Sequence, residues 1–162
     1  MAPSRFISII LVVLALFVST GASAGGGEAA GREAVLMEAR RGFEEILDLW
    51  RDGAYDRLYD RTTGEAAGRY RFTEGLLYAS RIPACCWEKV RDVSATWLGE
   101  GRVSLTATLG MEAEGVGTRF VTRSFLLVKE EGVWKVSAAD ILSLAEPNYL
   151  RVPREIPVRP AP

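Results

Sequence analysis

The first half of the chain carries apolar residues at helical spacing. From about Glu33 they recur at steps of three and four residues while the opposite face is charged, which is typical of an amphipathic helix. The apolar stripe consists of Val35, Leu36, Ala39, Phe43, Ile46, Leu47 and Trp50. We expect Gly53 to end this helix. Shorter helices are predicted over 55–62 and from an N-cap at Thr73 to a point before Pro83.

After Cys86 the apolar residues alternate with polar ones, which indicates β-strands. Strands are predicted over 93–97, 103–111 and 118–129, and a last strand from Trp134 through Asp140. The glycine-containing segments between them are typical of hairpin turns. The sequence therefore predicts an α+β domain in which helices are followed by a meander of four antiparallel strands.

The third of these strands is apolar on both faces. Phe120, Leu126 and Val128 share one parity, whereas Val121, Phe125 and Leu127 share the other. Because the helices can cover only one face, the other face is expected to be covered by something else. We predict a homodimer through the sheet, with a bend in the strand or a covering loop as the alternatives.

The N-terminus has the layout of a secretory signal peptide. Arg5 precedes the apolar run 6–18, and small residues follow up to Ala22-Ser23-Ala24. A helix over the apolar run rises about 20 Å, short of the roughly 30 Å hydrocarbon core of a bilayer. Cleavage after Ala24 and a periplasmic or secreted location are therefore predicted, with a retained membrane anchor as the alternative.

The remaining chain divides by composition into three parts. A glycine-rich flexible leader is predicted over 25–32, the folded domain over 33–145 and an extended tail rich in proline and arginine over 146–162. The charges are balanced at 20 basic and 21 acidic residues, with the two signs interleaved. This pattern argues against nucleic acid as a partner and against a membrane surface as a partner after cleavage.

The order of elements resembles that of a known superfamily. Helices, a four-strand meander and the closing hairpin Lys129-Glu-Glu-Gly-Val-Trp-Lys135 are similar to the nuclear transport factor 2-like superfamily. This resemblance implies a cone-shaped, cystatin-like fold with a pocket between the helices and the concave sheet. The superfamily includes ketosteroid isomerase, scytalone dehydratase and polyketide cyclases, together with exported members without apparent catalysis. Membership alone leaves enzyme and binder undecided.

The chain contains no histidine, which excludes histidine-based acid–base catalysis and the nucleophile pairs that depend on it. A carboxylate base with a tyrosine as oxyanion donor remains open, as in an isomerase. The candidate residues are Asp140 with Tyr55 or Tyr59. The structural alternative is that the tyrosines close the core and that Asp140 caps a turn. We predict no catalytic role for them.

Aromatic side chains are numerous enough to line an apolar pocket. The candidate ligand-binding residues are Trp50, Tyr59, Tyr78, Trp97 and Trp134. The same side chains are also suited to filling the core of the domain, and the sequence favours this second role.

Cys85 and Cys86 are adjacent, so a relaxed disulfide between them is geometrically disfavoured. Four states are open: two buried thiols, which we favour, a strained vicinal disulfide, a bridge between chains, or redox chemistry. Two thiols without histidine do not complete a metal site, and no phosphate-binding loop is present, so neither a metal nor a cofactor is predicted.

These observations lead to three functional hypotheses. The first is an exported non-enzymatic domain that binds a small apolar ligand or a protein partner. The second is a cofactor-independent lyase or isomerase with a carboxylate base. The third is a structural dimerisation module.

Overall fold

The computed structural model describes residues 25–64 and 68–149. The predicted signal peptide (1–24) and, of the predicted tail (146–162), the residues from 150 onward lie outside the described residues. The first residues of that tail contact the end of the third helix, since Pro147 forms a β-bridge with Ala79 and the Asn148 amide donates to the Tyr78 carbonyl at 2.8 Å. In these described ranges, no helix has both the length and the apolar character needed to cross a membrane. The described residues from Arg32 to Tyr149 form one compact unit, and all packing contacts below lie within it.

The described residues have an α+β architecture, as predicted, with four α-helices and one mixed sheet of six strands. The helices are α1 (Gly25–Arg51), α2 (Tyr55–Tyr59), α3 (Arg69–Leu77) and α4 (Ala138–Ala145). The strands are β1 (Thr62–Thr63), β2 (Arg81–Pro83), β3 (Val90–Gly99), β4 (Arg102–Ala113), β5 (Gly117–Glu130) and β6 (Val133–Ser137). Helix α1 thus begins ahead of Glu33, where its apolar stripe starts.

The meander predicted from the alternation is confirmed. Strands β3, β4, β5 and β6 pair in chain order, and every one of these pairings is antiparallel. The two short strands extend this sheet, because β1 runs parallel to β6 and β2 runs antiparallel to one end of β4. One edge of β4 is therefore shared by β2 and β3, and the segment between those strands runs along this edge.

The core lies between α1 and one face of the sheet. Phe43 of α1 and Phe125 of β5 are buried, with ring centroids 4.7 Å apart. On β4 the buried positions alternate as the sequence predicts and include Leu105 and Leu109. The apolar stripe of α1 is buried from Ala39 onward, so its period correctly predicts the helix face that packs on the sheet.

Ion pairs along the rim of α1 connect the helix to the sheet and its adjoining loop. Glu38 pairs with Lys129 at 2.6 Å, and Arg51 pairs with Glu112 at 3.0 Å. Each partner is partly exposed, so each pair contributes no more than about 1 kcal/mol. Their main effect is to fix the position of the helix across the strands.

The predicted start of the third helix is wrong. Helix α3 begins at Arg69 after an extended Gly68, so Thr73 lies inside the helix instead of at its N-cap. The prediction followed the strong preference of threonine for N-caps. The helix begins one turn before Thr73, and the buried side chain of Phe72 lies in this additional turn.

Replacement of Thr73 by valine is expected to stabilise the domain. The Thr73 hydroxyl oxygen is buried and has no hydrogen-bond partner among the described residues. Valine keeps the shape and removes the desolvated hydroxyl, so we expect a gain of about 1 kcal/mol in the free energy of unfolding, measured by urea denaturation. Thr73→Ser is the matched control, since it keeps the hydroxyl and is expected to give no gain. Equal stabilities of Thr73→Val and the wild type would contradict the burial of an unpartnered hydroxyl at this position.

The predicted last strand is also wrong at its end. Strand β6 stops at Ser137, and Ala138, Ile141 and Leu144 are buried at helical spacing in α4. The alternation was extended through Ala138, although the residues after it follow a period of three. Asp140 therefore lies in the first turn of a helix, where a carboxylate is favoured by the helix dipole.

Candidate functional site

Two of the five aromatic candidates are buried in the core, and the other three make partly exposed contacts. Trp50 and Trp134 are buried in the core. Tyr59 contacts the ring of Phe72 edge-on, with centroids 5.5 Å apart. The remaining two are at the surface: Tyr78 packs on Tyr149, and Trp97 lies 5.7 Å from the Arg32 guanidinium.

The catalytic candidates lie on two different helices. Tyr55 and Tyr59 are on α2, with Tyr55 buried, whereas Asp140 is on α4 and partly exposed. Both helices lie next to α3. Helix α3 therefore contacts both the helix that carries the candidate tyrosines and the helix that carries the candidate carboxylate.

Two surface clefts beside α1 have charged side chains in their linings. One, of about 240 Å³, is lined by Glu38, Arg41, Glu45 and Arg61 together with two glycines, Val133 and the candidate Trp134. The other, of about 300 Å³, includes Glu45, Asp48, Asp52, Arg57 and Arg61. Charges of both signs line each cleft, so neither has the apolar lining that suits an apolar ligand.

The sheet face opposite α1, here called the outer face, carries a row of hydroxyl side chains. Leu105 and Leu109 point into the core, so the residues that alternate with them point outward. Cross-strand partners share a face, which places hydroxyls of three strands side by side. We call this set the hydroxyl strip: Ser94, Thr96, Ser104, Thr106, Thr108, Thr122 and Ser124.

Hydrogen bonds order the centre of the strip. Thr106 lies opposite Ser124 and Thr108 lies opposite Thr122. The side-chain oxygens are 2.7 Å apart in the first pair and 2.8 Å apart in the second. Each hydroxyl has further acceptor capacity after this bond, so the strip keeps hydrogen-bonding groups for an incoming surface.

Apolar residues flank the strip on β5. Leu126 lies opposite Ser104 and is 49% exposed, whereas Phe120 lies opposite Gly110 and is 43% exposed. The outward positions from Thr122 to Leu126 and those facing them on β4 carry no charge, although a quarter of the chain is charged. On β3, Ser94 and Thr96 are uncharged, whereas Arg91 lies opposite Thr108 at one end of the strip. Depletion of charge next to exposed aromatic and aliphatic groups is typical of the core of a protein interface.

Arg91 lies between two aromatic rings at one end of the outer face. Its guanidinium carbon is 4.0 Å from the centroid of Phe120 and 4.9 Å from that of Trp87. Such cation–π contacts hold exposed rings in one orientation. The flat apolar surfaces at this end are therefore ordered by contacts within the chain.

The open edge of the sheet at β3 is irregular. Its register to β4 shifts between Arg91 and Ser94 and again between Trp97 and Gly99. Asp92 has a positive φ of 47° in the first of these irregularities. Bulges of this kind twist an edge strand away from a regular ladder and disfavour pairing with a further strand.

The adjacent cysteines lie in a turn between β2 and β3. Both thiols are exposed, with the Cys86 thiol hydrogen-bonded to the Cys85 sulfur at 2.7 Å. The expectation of two buried thiols is therefore wrong, because the turn runs along β4 with both cysteine side chains directed to solvent. The hydrogen bond with Cys86 is the main cause that raises the pKa of the Cys85 thiol above its ordinary value.

Backbone contacts fix the ends of this turn. The Ala84 amide donates to the Gly110 carbonyl at 2.8 Å, and the Gly110 amide donates to the Lys89 carbonyl at 3.2 Å. The Glu112 carboxylate accepts from the Cys85 amide at 3.3 Å and from the Arg51 guanidinium at 3.0 Å. The thiols therefore project from a backbone held to both the sheet and α1.

No model of a known protein family matches the chain, and a search of curated proteins finds no similar sequence. The likeness to the nuclear transport factor 2-like superfamily therefore stays a prediction.

The sequence predicts association through the sheet from Phe120 and Leu126 and singles out Cys85 and Cys86, but it missed the hydroxyl strip and the exposure of the thiols. The alternation of Ser104, Thr106 and Thr108 was visible and predicts a polar face, but polar faces usually contact only water. Their partners on β5 depend on the register of two strands, which the sequence pattern does not specify. The missed signal was the lack of charge at the centre of this face, on β4 and β5.

Proposed function

We propose that this chain is an exported, non-enzymatic association domain of the nuclear transport factor 2-like type, which dimerises through the outer face of its sheet. The observation that carries the proposal is the hydroxyl strip flanked by Phe120 and Leu126, which has no charge across its centre on β4 and β5. An exposed sheet face that serves only solubility normally carries interspersed charges. The lack of charge favours contact with another surface.

A second copy of the chain is the occupant that best complements this face. A hydroxyl group both donates and accepts, so a row of hydroxyls is complementary to itself. A two-fold dimer places the same patch on both sides of the interface, and neutral groups avoid like-charge repulsion at the axis. Leu126 and Phe120 supply apolar area at the two ends of the patch.

Association by the face is favoured over association by the edge. Edge pairing needs a regular, unpaired ladder, whereas β3 has two register irregularities and the positive φ at Asp92. The outer face has ordered hydroxyl pairs and no such irregularity between Thr106 and Thr122. We therefore propose sheet-to-sheet packing.

A charge inserted in the outer face is expected to separate the copies. Leu126→Asp places a carboxylate where the proposed interface excludes water, so dissociation should become roughly 100-fold easier. The measurement is sedimentation velocity at several concentrations, with a reductant present so that no disulfide joins chains.

Val116→Asp is the matched control for this variant. Val116 is 54% exposed and lies in the turn between β4 and β5, away from the strip. It is expected to sediment as the wild type does. Wild-type association in Leu126→Asp, or the same loss in both variants, would contradict dimerisation through the outer face.

A further inference from the structure

The turn at Cys85 and Cys86 has the properties of a ligand site independent of the outer-face proposal. Both thiols are exposed, and their sulfurs are 2.7 Å apart. Cys86 has a positive φ of 60°, a backbone conformation that residues other than glycine rarely adopt. The chain therefore holds two sulfurs side by side at some conformational cost.

The surroundings of the turn keep this arrangement in place. Gly110 binds both ends of the turn through its amide and carbonyl groups. Glu112 binds the Cys85 amide, and Thr118 donates to the Glu88 carboxylate at 3.0 Å. A ligand that needs both sulfurs on one side therefore meets a prearranged pair, which lowers the entropy cost of binding.

The donor set selects among thiophilic ligands. No group of three or more cysteine, aspartate or glutamate side chains suited to hold a metal occurs in the described part of the chain, so a four-ligand zinc site is disfavoured. Thiolates prefer soft acceptors. A linear two-coordinate ion places its sulfurs on opposite sides, whereas a pyramidal trivalent metalloid holds two sulfurs at about a right angle and close together. The second geometry fits neighbouring residues.

We propose that Cys85 and Cys86 form a chelating dithiol site for trivalent arsenicals. With an arsenic hydroxide, two arsenic–sulfur bonds form and two arsenic–oxygen bonds break. Each thiol proton leaves with one hydroxide as water. No oxidant or reductant is consumed, so the step is open to the reduced protein in any compartment.

The bridging arsenic also relieves a constraint that limits direct disulfide formation. Neighbouring Cα atoms are only about 3.8 Å apart, less than a relaxed disulfide requires. One atom inserted between the sulfurs lengthens the link.

The test uses phenylarsine oxide on the full chain after reduction with a phosphine. The chain has two cysteines in all, so no other thiol contributes. Intact mass should show one phenylarsenic group for each chain. Because the second sulfur binds within the chain, retention against a monothiol competitor should exceed that of Cys85→Ser and of Cys86→Ser by a factor on the order of 100. A small dithiol should remove the group from the wild type.

Each alternative result is distinguishable. Retention in either single variant equal to that of the wild type would overturn chelation, because one sulfur would then be sufficient. Failure of the reduced wild type to take up the group would overturn the site itself. Circular dichroism of both serine variants checks that they fold, and since neither thiol is buried we expect wild-type spectra.

Discussion

Replacement of Gly110 by alanine is expected to destabilise the domain by about 3 kcal/mol. A Cβ atom at this position would lie 2.2 Å from the backbone carbonyl oxygen of Glu88 and 3.1 Å from the Ala84 side chain. The nearest obstacle is backbone, so it cannot move aside as a side-chain end can. Relief of the clash requires the cysteine turn to leave β4 and break its bonds to Gly110.

The measurement is thermal and urea unfolding of Gly110→Ala beside Gly68→Ala. Gly68 has a negative φ and no atom within 4 Å of an added Cβ, so its replacement should change stability by less than about 1 kcal/mol. The same methyl group is thus added with and without a clash. Equal stabilities of the two variants would contradict the close approach of the turn to β4.

Replacement of Phe43 by alanine is expected to cost about 4 kcal/mol. Phe43 is fully buried and packs on Phe125 at 4.7 Å, so truncation leaves a cavity between α1 and β5. A domain of this size has a total stability of roughly 5 to 15 kcal/mol, so this single change removes a large part of it. The variant should unfold at markedly lower urea concentration.

Tyr70→Ala is the control for aromatic truncation. Tyr70 lies on α3 and is 78% exposed, so its removal should change the urea midpoint little. A Phe43→Ala protein as stable as Tyr70→Ala would contradict the packing of α1 on the sheet.

The sequence predicts those parts of the fold in which the hydrophobic period is long and regular. The stripe from Ala39 to Trp50 and the alternation from Val103 to Met111 each persist over several repeats, and both buried faces are confirmed. The glycine-containing hairpin turns are confirmed as well, since Gly101 and Gly132 have positive φ values, as do Glu100 and Glu131 directly before them. Local patterns of this length determine the element and its buried face together.

The elements that the sequence predicts wrongly are short. Helix α4 has eight residues, and its first buried residue, Ala138, also fits the alternation of the strand before it. At α3, the N-cap preference of Thr73 was outweighed by the burial of Phe72. In both places tertiary contacts decide between two acceptable local patterns.

The candidate sites depend on tertiary contacts, which the hydrophobic periodicity of the sequence does not specify. Exposure of Cys85 and Cys86 follows from the way the chain crosses Gly110 between β2 and β3. Thr108 and Thr122 face each other only because β4 and β5 adopt one register. Composition gave residue types suited to a site, whereas the fold decides which of them share a surface.

The association of the outer face is tested most directly by sedimentation equilibrium of the unmodified protein from nanomolar to high micromolar concentration under reducing conditions. We expect a mass that rises from one chain to two chains as the concentration increases. No larger species should form, because a two-fold interface uses the same face of both chains and leaves no free copy of it. A single-chain mass at every concentration would contradict the proposal.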